Sequence, residues 1–211
     1  MSRCVILSAC PVQPELKRLL RSDDFIIACD AGYRNCERLG CKPDIIVGDF
    51  DSAPCPQQNA DDIVVLPHVK DDTDTEYAAK LAAQKGFDEV LLLGALGGKR
   101  VEHTLANLCT GLGLEQRGIR AALQDERSRI TFVLPGESRC YPKEEFFYFS
   151  AFPMEGRAEG VNEKGSFYEL EDAVLTAGYP LGVSNEYAEG SDCITISTRQ
   201  GALVVVETIA D

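Results

Sequence analysis

The chain has 211 residues, 45% of them hydrophobic and 26% charged, with 34 acidic against 21 basic side chains and a formal net charge of −13. A chain of this length buries roughly 70% of its unfolded surface, so it needs no covalent staple, and its acidity without a Lys/Arg cluster argues against a nucleic-acid partner. No apolar run is long enough to span a membrane, and Met1–Leu7 lacks the apolar core and cleavage site of a signal peptide, which predicts a cytoplasmic protein.

In chain order, short Val- and Ile-rich runs predict strands at Cys4–Ser8, Phe25–Cys29, Asp44–Val47, Ile63–Leu66, Glu89–Leu93 and Arg120–Gln124. Amphipathic stretches between them predict helices at Pro14–Arg21, Tyr33–Leu39, Asp74–Lys85 and Glu102–Gln116. Pro14 suits a first helical turn, Thr73-Asp74-Thr75-Glu76 matches a capping box, and Gly86 and Gly118 are stops. This alternation predicts a parallel sheet covered by helices over residues 1–125.

Beyond that the helical period stops. Ile130–Leu134, Phe146–Phe152, Ser166–Leu170 and Cys193–Ile209 read as strands, the last as a hairpin turning near Gln200-Gly201. Residues 126–211 are therefore expected to form an all-β sandwich or jelly roll. Nine cysteines with no C-x-x-C pair, and only His68 and His103 as imidazoles, predict reduced thiols and no structural zinc.

Chemistry collects after the strands. Asp30-Ala31-Gly32 follows the second, Gly48-Asp49-Phe50-Asp51-Ser52 the third, and a loop reaching Asp71-Asp72-Thr73-Asp74 the fourth. In a parallel sheet these ends share one edge, where open α/β sheets bind ligands. Carboxylates gathered there repel one another unless a cation intervenes, and magnesium, which takes one or two carboxylates and shares phosphate oxygens, answers that need. After the fifth strand comes Gly94-Ala95-Leu96-Gly97-Gly98-Lys99-Arg100, a glycine-rich basic loop without the spacing of a P-loop or dinucleotide fingerprint. His103 reads first as a hydrogen-bonding residue at a helix start.

Taken in order, Cys29-Asp30-Ala31-Gly32, Pro43 to Ser52, Lys70 to Glu76, Gly94 to Gly98 with Glu102-His103-Thr104-Leu105-Ala106-Asn107, and Gly182-Val183-Ser184-Asn185-Glu186 resemble the thiamine pyrophosphokinase family. The resemblance implies a nucleotide-binding α/β domain followed by a β-sandwich, and transfer of the pyrophosphoryl group of ATP to thiamine, giving thiamine diphosphate and AMP. It implies Asp49, Asp51, Asp71 and Asp74 as catalytic acids, with Asp49, Asp51 and Asp74 holding magnesium. Asp30, Gly32, Arg34, Thr73, Gly97, Gly98, Lys99, Arg100, Glu102 and His103 would bind the nucleotide, and Ser184 and Asn185 thiamine, in a homodimer with thiamine where the subunits meet.

The chain departs from the family's Gly-Gly-Arg-x-Asp-His by one extra residue and by Glu102 in place of Asp, so either Lys99 or Arg100 meets phosphate. Arg34 and Asn35 likewise share the position at which the family often has an Asn. The acids alone also suit a magnesium-dependent phosphohydrolase with Asp49 as nucleophile, or a non-catalytic thiamine or nucleotide sensor.

Overall fold

The computed structural model describes residues 3–50, 62–67 and 71–210. The chain divides into two compact units, Met1–Glu126 and Arg127–Asp211.

The first unit carries β1 (Arg3–Leu7), β2 (Phe25–Cys29), β3 (Ile45–Gly48), β4 (Asp62–Val65), β5 (Glu89–Leu93) and β6 (Arg120–Gln124). All pair parallel, in the order β6-β5-β1-β2-β3-β4. β1 is apolar at successive positions because both sheet faces are covered: Cys4, Val5, Ile6 and Leu7 are all fully buried. Val5 and Leu7 pack with Ile46 and Leu93 against Cys36 and Leu39 of α1 (Tyr33–Leu39). By strand alternation Ile6, Ile27 and Leu92 face the other way. There α2 (Asp74–Gln84) presents the buried Ala78, Ala79 and Ala82, and it also packs on α3 (Val101–Gln116). Such small side chains let a helix lie close to a sheet.

Local chemistry sets the boundaries. Gly40, at φ 62°, ends α1 in the left-handed conformation that glycine adopts without steric cost. Thr73 caps α2 by accepting the Glu76 N–H at 3.1 Å. The Glu76 carboxylate instead accepts from the Thr110 hydroxyl at 2.9 Å, tying α2 to α3. Pro14–Leu19 forms a 3-10 helix rather than the α-helix expected to Arg21, with only Leu16 of it buried. A stretch offering so little apolar surface to the core has little to hold it in a longer helix.

The second unit is a sandwich. One layer orders β12 (Asn185–Glu186), β9 (Tyr148–Pro153), β14 (Leu203–Thr208) and β7 (Ser128–Val133), and the other β11 (Leu170–Thr176), β10 (Arg157–Lys164), β13 (Cys193–Ser197) and β8 (Ser138–Pro142). Val133, Phe149, Ala151, Leu203 and Val205 from the first meet Tyr141, Ala158, Val161, Leu175, Ile194 and Ile196 from the second. The α/β-then-β fold class read from the sequence is the one observed.

Three expectations are corrected. The stretch from Cys193 is not a hairpin: β13 pairs with β8 and β10, while β14 pairs with β7 and β9, so the chain changes layers at Gln200-Gly201. A Cβ on Gly201 would stand 2.3 Å from the Arg157 carbonyl oxygen, so the crossing requires glycine. Ser166–Leu170 is mostly the connection between β10 and β11, with Ser166 bridging to Tyr187. Finally, Cys140 and Cys193, on the paired strands β8 and β13, are joined by a disulfide with Cα atoms 6.2 Å apart, so the thiols are not all reduced. Their separation of 53 residues hid the pair from any reading of spacing.

Candidate active site

The sheet order of the first unit reverses at β1: the chain builds outward from β1 to β4, then returns to β5 on the other side. Open α/β sheets bind ligands beyond the carboxyl ends of strands at such a reversal. Here the pairing of β1 and β5 continues past the strands, with Ser8 N–H donating to Leu93 O at 2.8 Å and Cys10 N–H to Gly94 O at 3.0 Å. Beyond them lies a cavity of about 500 Å³, within the usual range for a ligand pocket. Among its lining residues are Asp30, Asp49, Thr73, Asp74, Gly98, Lys99, Arg100 and His103.

Asp30 follows β2 and is buried, with its backbone at φ 45°. Phe50, just past Asp49, sits at φ 56°. Non-glycine residues in this region are uncommon, and two after adjacent strands are a strain that clusters at functional sites. Gly48 permits the approach of Asp30, since a Cβ there would stand 3.0 Å from the Asp30 Cα. Thr75 and Ser8 close the floor with hydroxyl oxygens 2.9 Å apart. The Cys29 thiol, pushed well up by burial and next by the nearby Asp74, stays protonated and contacts the Asp74 carbonyl oxygen at 3.5 Å. It is a packing group, not a nucleophile.

The glycine-rich loop is held by its own helix: Gly97 N–H donates to the Thr104 hydroxyl at 3.1 Å, and Asn107 donates to Ala95 O at 2.7 Å. Gly94 is obligatory, because a Cβ would stand 2.6 Å from the carbonyl oxygens of Ser8 and Cys10. Both Lys99 and Arg100 line the cavity, and Arg100 Nε is engaged by Glu102 at 2.7 Å. That contact holds the carboxyl of Glu102, which is exposed and outside the lining, below its ordinary pKa.

Several expected residues stand elsewhere. Gly32 is in a packing position, where a Cβ would meet the Leu7 carbonyl oxygen at 2.0 Å. Arg34 is exposed, with its guanidinium over the Tyr33 ring, and Gly97 and Asp71 are also outside the lining. Asp51 lies outside the described residues. In the second unit Ser184 is exposed at φ 53°, whereas Asn185 is buried, 3% exposed.

Sequence reasoning missed Ser8, Ala9, Cys10 and Pro11, the segment after β1 that forms one wall. It is held by Asn35, which donates to the carbonyl oxygens of Ser8 and Cys10, both at 2.8 Å, and accepts from Val12 N–H at 3.2 Å. No charged side chain marks that segment; the strand order alone could have found it.

An α/β unit with strand-end carboxylates, a fixed glycine-rich loop and two cationic side chains around one cavity has the make-up of a phosphate-handling nucleotide-binding protein. Comparison with known proteins gives the family. Residues 16–123 match the thiamin pyrophosphokinase catalytic domain, and residues 139–203 the vitamin B1 binding domain of thiamin pyrophosphokinase. Thiamine pyrophosphokinase of Bacillus subtilis is 26% identical over 200 residues, 92% of each chain. The fold matches the crystal structure of the Bacillus subtilis enzyme at TM-score 0.87 and 24% identity, over all of both chains. It also matches yeast thiamin pyrophosphokinase at 0.78 and 12%, over 99% of this chain and 86% of that one. The chain belongs to the thiamin pyrophosphokinase family, and is accordingly a transferase that pyrophosphorylates thiamine with ATP. No helix among the described residues is long and apolar enough to cross a membrane.

Proposed function

We propose that ATP lies in the crevice beyond β1 and β5 and that the hydroxyl of thiamine attacks its β-phosphorus in line, so that two phosphates move together and AMP leaves. The observation that carries this reading is the gathering of Asp30, Asp49 and Asp74 with Lys99 and Arg100 around one cavity. Lys99 and Arg100 would meet the negative charge of the polyphosphate, and Thr73 with the first turn of α2 would bring the positive end of a helix toward it. Of Asp71 and Asp74, only Asp74 lines the cavity, which favours it as acceptor of the hydroxyl proton. Positioning and charge complementarity would supply most of the rate enhancement, as in other phosphoryl transfers.

The donor set suits magnesium. Asp49 and Asp74 bring hard carboxylate oxygens to the cavity, and magnesium takes one or two carboxylates and completes its shell with waters and phosphate oxygens. Asp49 and Asp74, with Asp51, would hold it. When bound it would neutralise phosphate charge as a Lewis acid.

In this reading residues 1–125 form the nucleotide-binding catalytic domain and 126–211 the thiamine-binding sandwich of a cytoplasmic homodimer, with Ser184 and Asn185 on the thiamine side. The exposed Phe167, Tyr168, Tyr179 and Val183 support a partner surface on the second unit. Chromatography of one reaction containing ATP, Mg²⁺ and thiamine tests the chemistry: AMP and thiamine diphosphate should form in equal amounts. Thiamine-dependent ADP would refute β-attack, and phosphate release without thiamine would favour a phosphohydrolase.

A further inference from the structure

Glu163 is fully buried on β10, its backbone paired with Leu170 of β11 and Ile196 of β13. Its Oε2 accepts from Asn185 Nδ2 at 3.0 Å, whereas its Oε1, equally buried, has no hydrogen-bond partner among the described residues. That oxygen looks toward Gly182, where an added Cβ would stand 3.6 Å away. A buried carboxyl with one oxygen left over is unfavourable for folding alone, and it lies beneath the segment Gly182–Asn185.

The amide of Asn185 is fully used inside the protein. Nδ2 donates to Glu163 and to Tyr168 O at 2.8 Å, while Oδ1 accepts from the N–H groups of Tyr168 and Glu186, each at 3.0 Å. An Asn offers two donors and two acceptor sites, so none remains for a ligand. Asn185 therefore acts as a clasp: it fixes the backbone following the exposed Ser184, and it holds the turn on which Phe167 and Tyr168 stand 66% and 70% exposed.

We propose that Glu163 is a positioning residue for thiamine, acting through the Asn185 amide to hold Ser184 and the Phe167–Tyr168 turn in the arrangement that receives the substrate. This rests on the proposed thiamine-side role of Ser184 and Asn185. It assigns Asn185 an indirect part and names the side chain behind it.

Burial pushes the Glu163 carboxyl up to about 7, partly offset by the Asn185 hydrogen bond. Around it stand Leu170 of β11, Ile196 of β13 and Asn185 of β12, none of them charged. The titratable groups of the same core are Tyr141 and Tyr187, whose hydroxyls bond to Thr131 and to Pro142 O. Ionisation strengthens the bond from Asn185, because an anionic acceptor binds an N–H more tightly than a neutral one. The clasp therefore tightens as pH rises through neutrality.

The test is steady-state kinetics of the full chain between pH 5.5 and 8.5, on the native enzyme, Glu163→Gln and Glu163→Leu, with circular dichroism to verify folding. Glu163→Leu should raise the KM for thiamine on the order of 10-fold while kcat and the KM for ATP stay within about twofold, because what is lost is ground-state placement of one substrate. Glu163→Gln, which keeps an acceptor, should restore most of that KM. The native enzyme should show a fall in thiamine KM near pH 7, and Glu163→Gln should abolish it. A merely structural role would change melting temperature and leave the pH profile of thiamine KM as it is. If Glu163→Leu does not fold, the Gln profile decides alone: a profile like the native one overturns the proposal. A native enzyme that makes no thiamine diphosphate overturns the functional reading and this role with it, whereas an active native enzyme with unchanged variants overturns only the role of Glu163.

Discussion

Gly48 lies against Asp30: a methyl group on Gly48 would stand 3.0 Å from the Asp30 Cα and 3.2 Å from its backbone nitrogen. The contact is backbone to backbone, so no side chain can swing aside to relieve it. Gly48→Ala should therefore displace Asp30 by a few tenths of an ångström, cost about 1–2 kcal/mol of stability and lower kcat/KM on the order of 10-fold. Thermal melting and steady-state kinetics on the same preparation check both, and native kinetics in the variant would show that the placement of Asp30 is unimportant to turnover.

Asp49→Asn should keep the fold and reduce transfer at least ~100-fold, since it removes one charge from the proposed polyphosphate site while leaving side-chain volume nearly the same. Unchanged far-ultraviolet dichroism with lost turnover is the expected pair of observations. Turnover within threefold of native would remove Asp49 from the proposed metal-binding set.

Asn35→Leu tests the wall that sequence reasoning missed. It deletes two donated hydrogen bonds and two accepted ones, from Val12 N–H and Arg38 Nη1, at a buried residue, leaving the Ser8 and Cys10 carbonyl oxygens short of donors. The expected cost is about 2–4 kcal/mol, together with a rise in the KM for ATP larger than that for thiamine. Equal effects on the two substrates would detach the segment after β1 from the nucleotide.

The strands of the first unit were legible because each contains a short local apolar run, and a parallel sheet brings their ends to one edge whatever the details of packing. Asp30, Asp49 and Asp74 followed from that rule. The second unit was harder. β10 reads Arg-Ala-Glu-Gly-Val-Asn-Glu-Lys, and its Glu163, a residue that normally marks a surface, is fully buried. Gln200-Gly201 carries a hairpin signal, but whether the strands on either side pair with each other or with separate layers is decided by residues dozens of positions away. The role of Asn185 was hidden for a similar reason, because residue type does not disclose which of its hydrogen bonds are already taken.

Stability should report Glu163 directly. Its carboxyl titrates at about 7 in the folded chain, against an ordinary value of 4.5. Between those values the folded state holds a proton that the unfolded state has released, so the contribution is fully present below 4.5 and is lost as pH rises to about 7, beyond which it no longer changes. The native-minus-Glu163→Gln difference in unfolding free energy should fall by on the order of 3 kcal/mol across that window, an upper figure for a group held by a single hydrogen bond. Urea melts at pH 4.5, 6 and 7.5 measure it; a difference independent of pH would place the titration elsewhere.

The change of layers at Gln200-Gly201 also orders events during synthesis. β13 lies between β10 and β8, and β14 between β9 and β7, so each layer of the sandwich receives an inner strand from the stretch Cys193–Thr208. A nascent chain that has emerged only to about Ser191 carries edge strands with nothing to pair with between them, while the strands and helices of the first unit are already all available. The first unit can therefore fold behind a translating ribosome, whereas the second closes both layers together in one late step, and until then its open edges are the part of the molecule most exposed to aggregation and to chaperones.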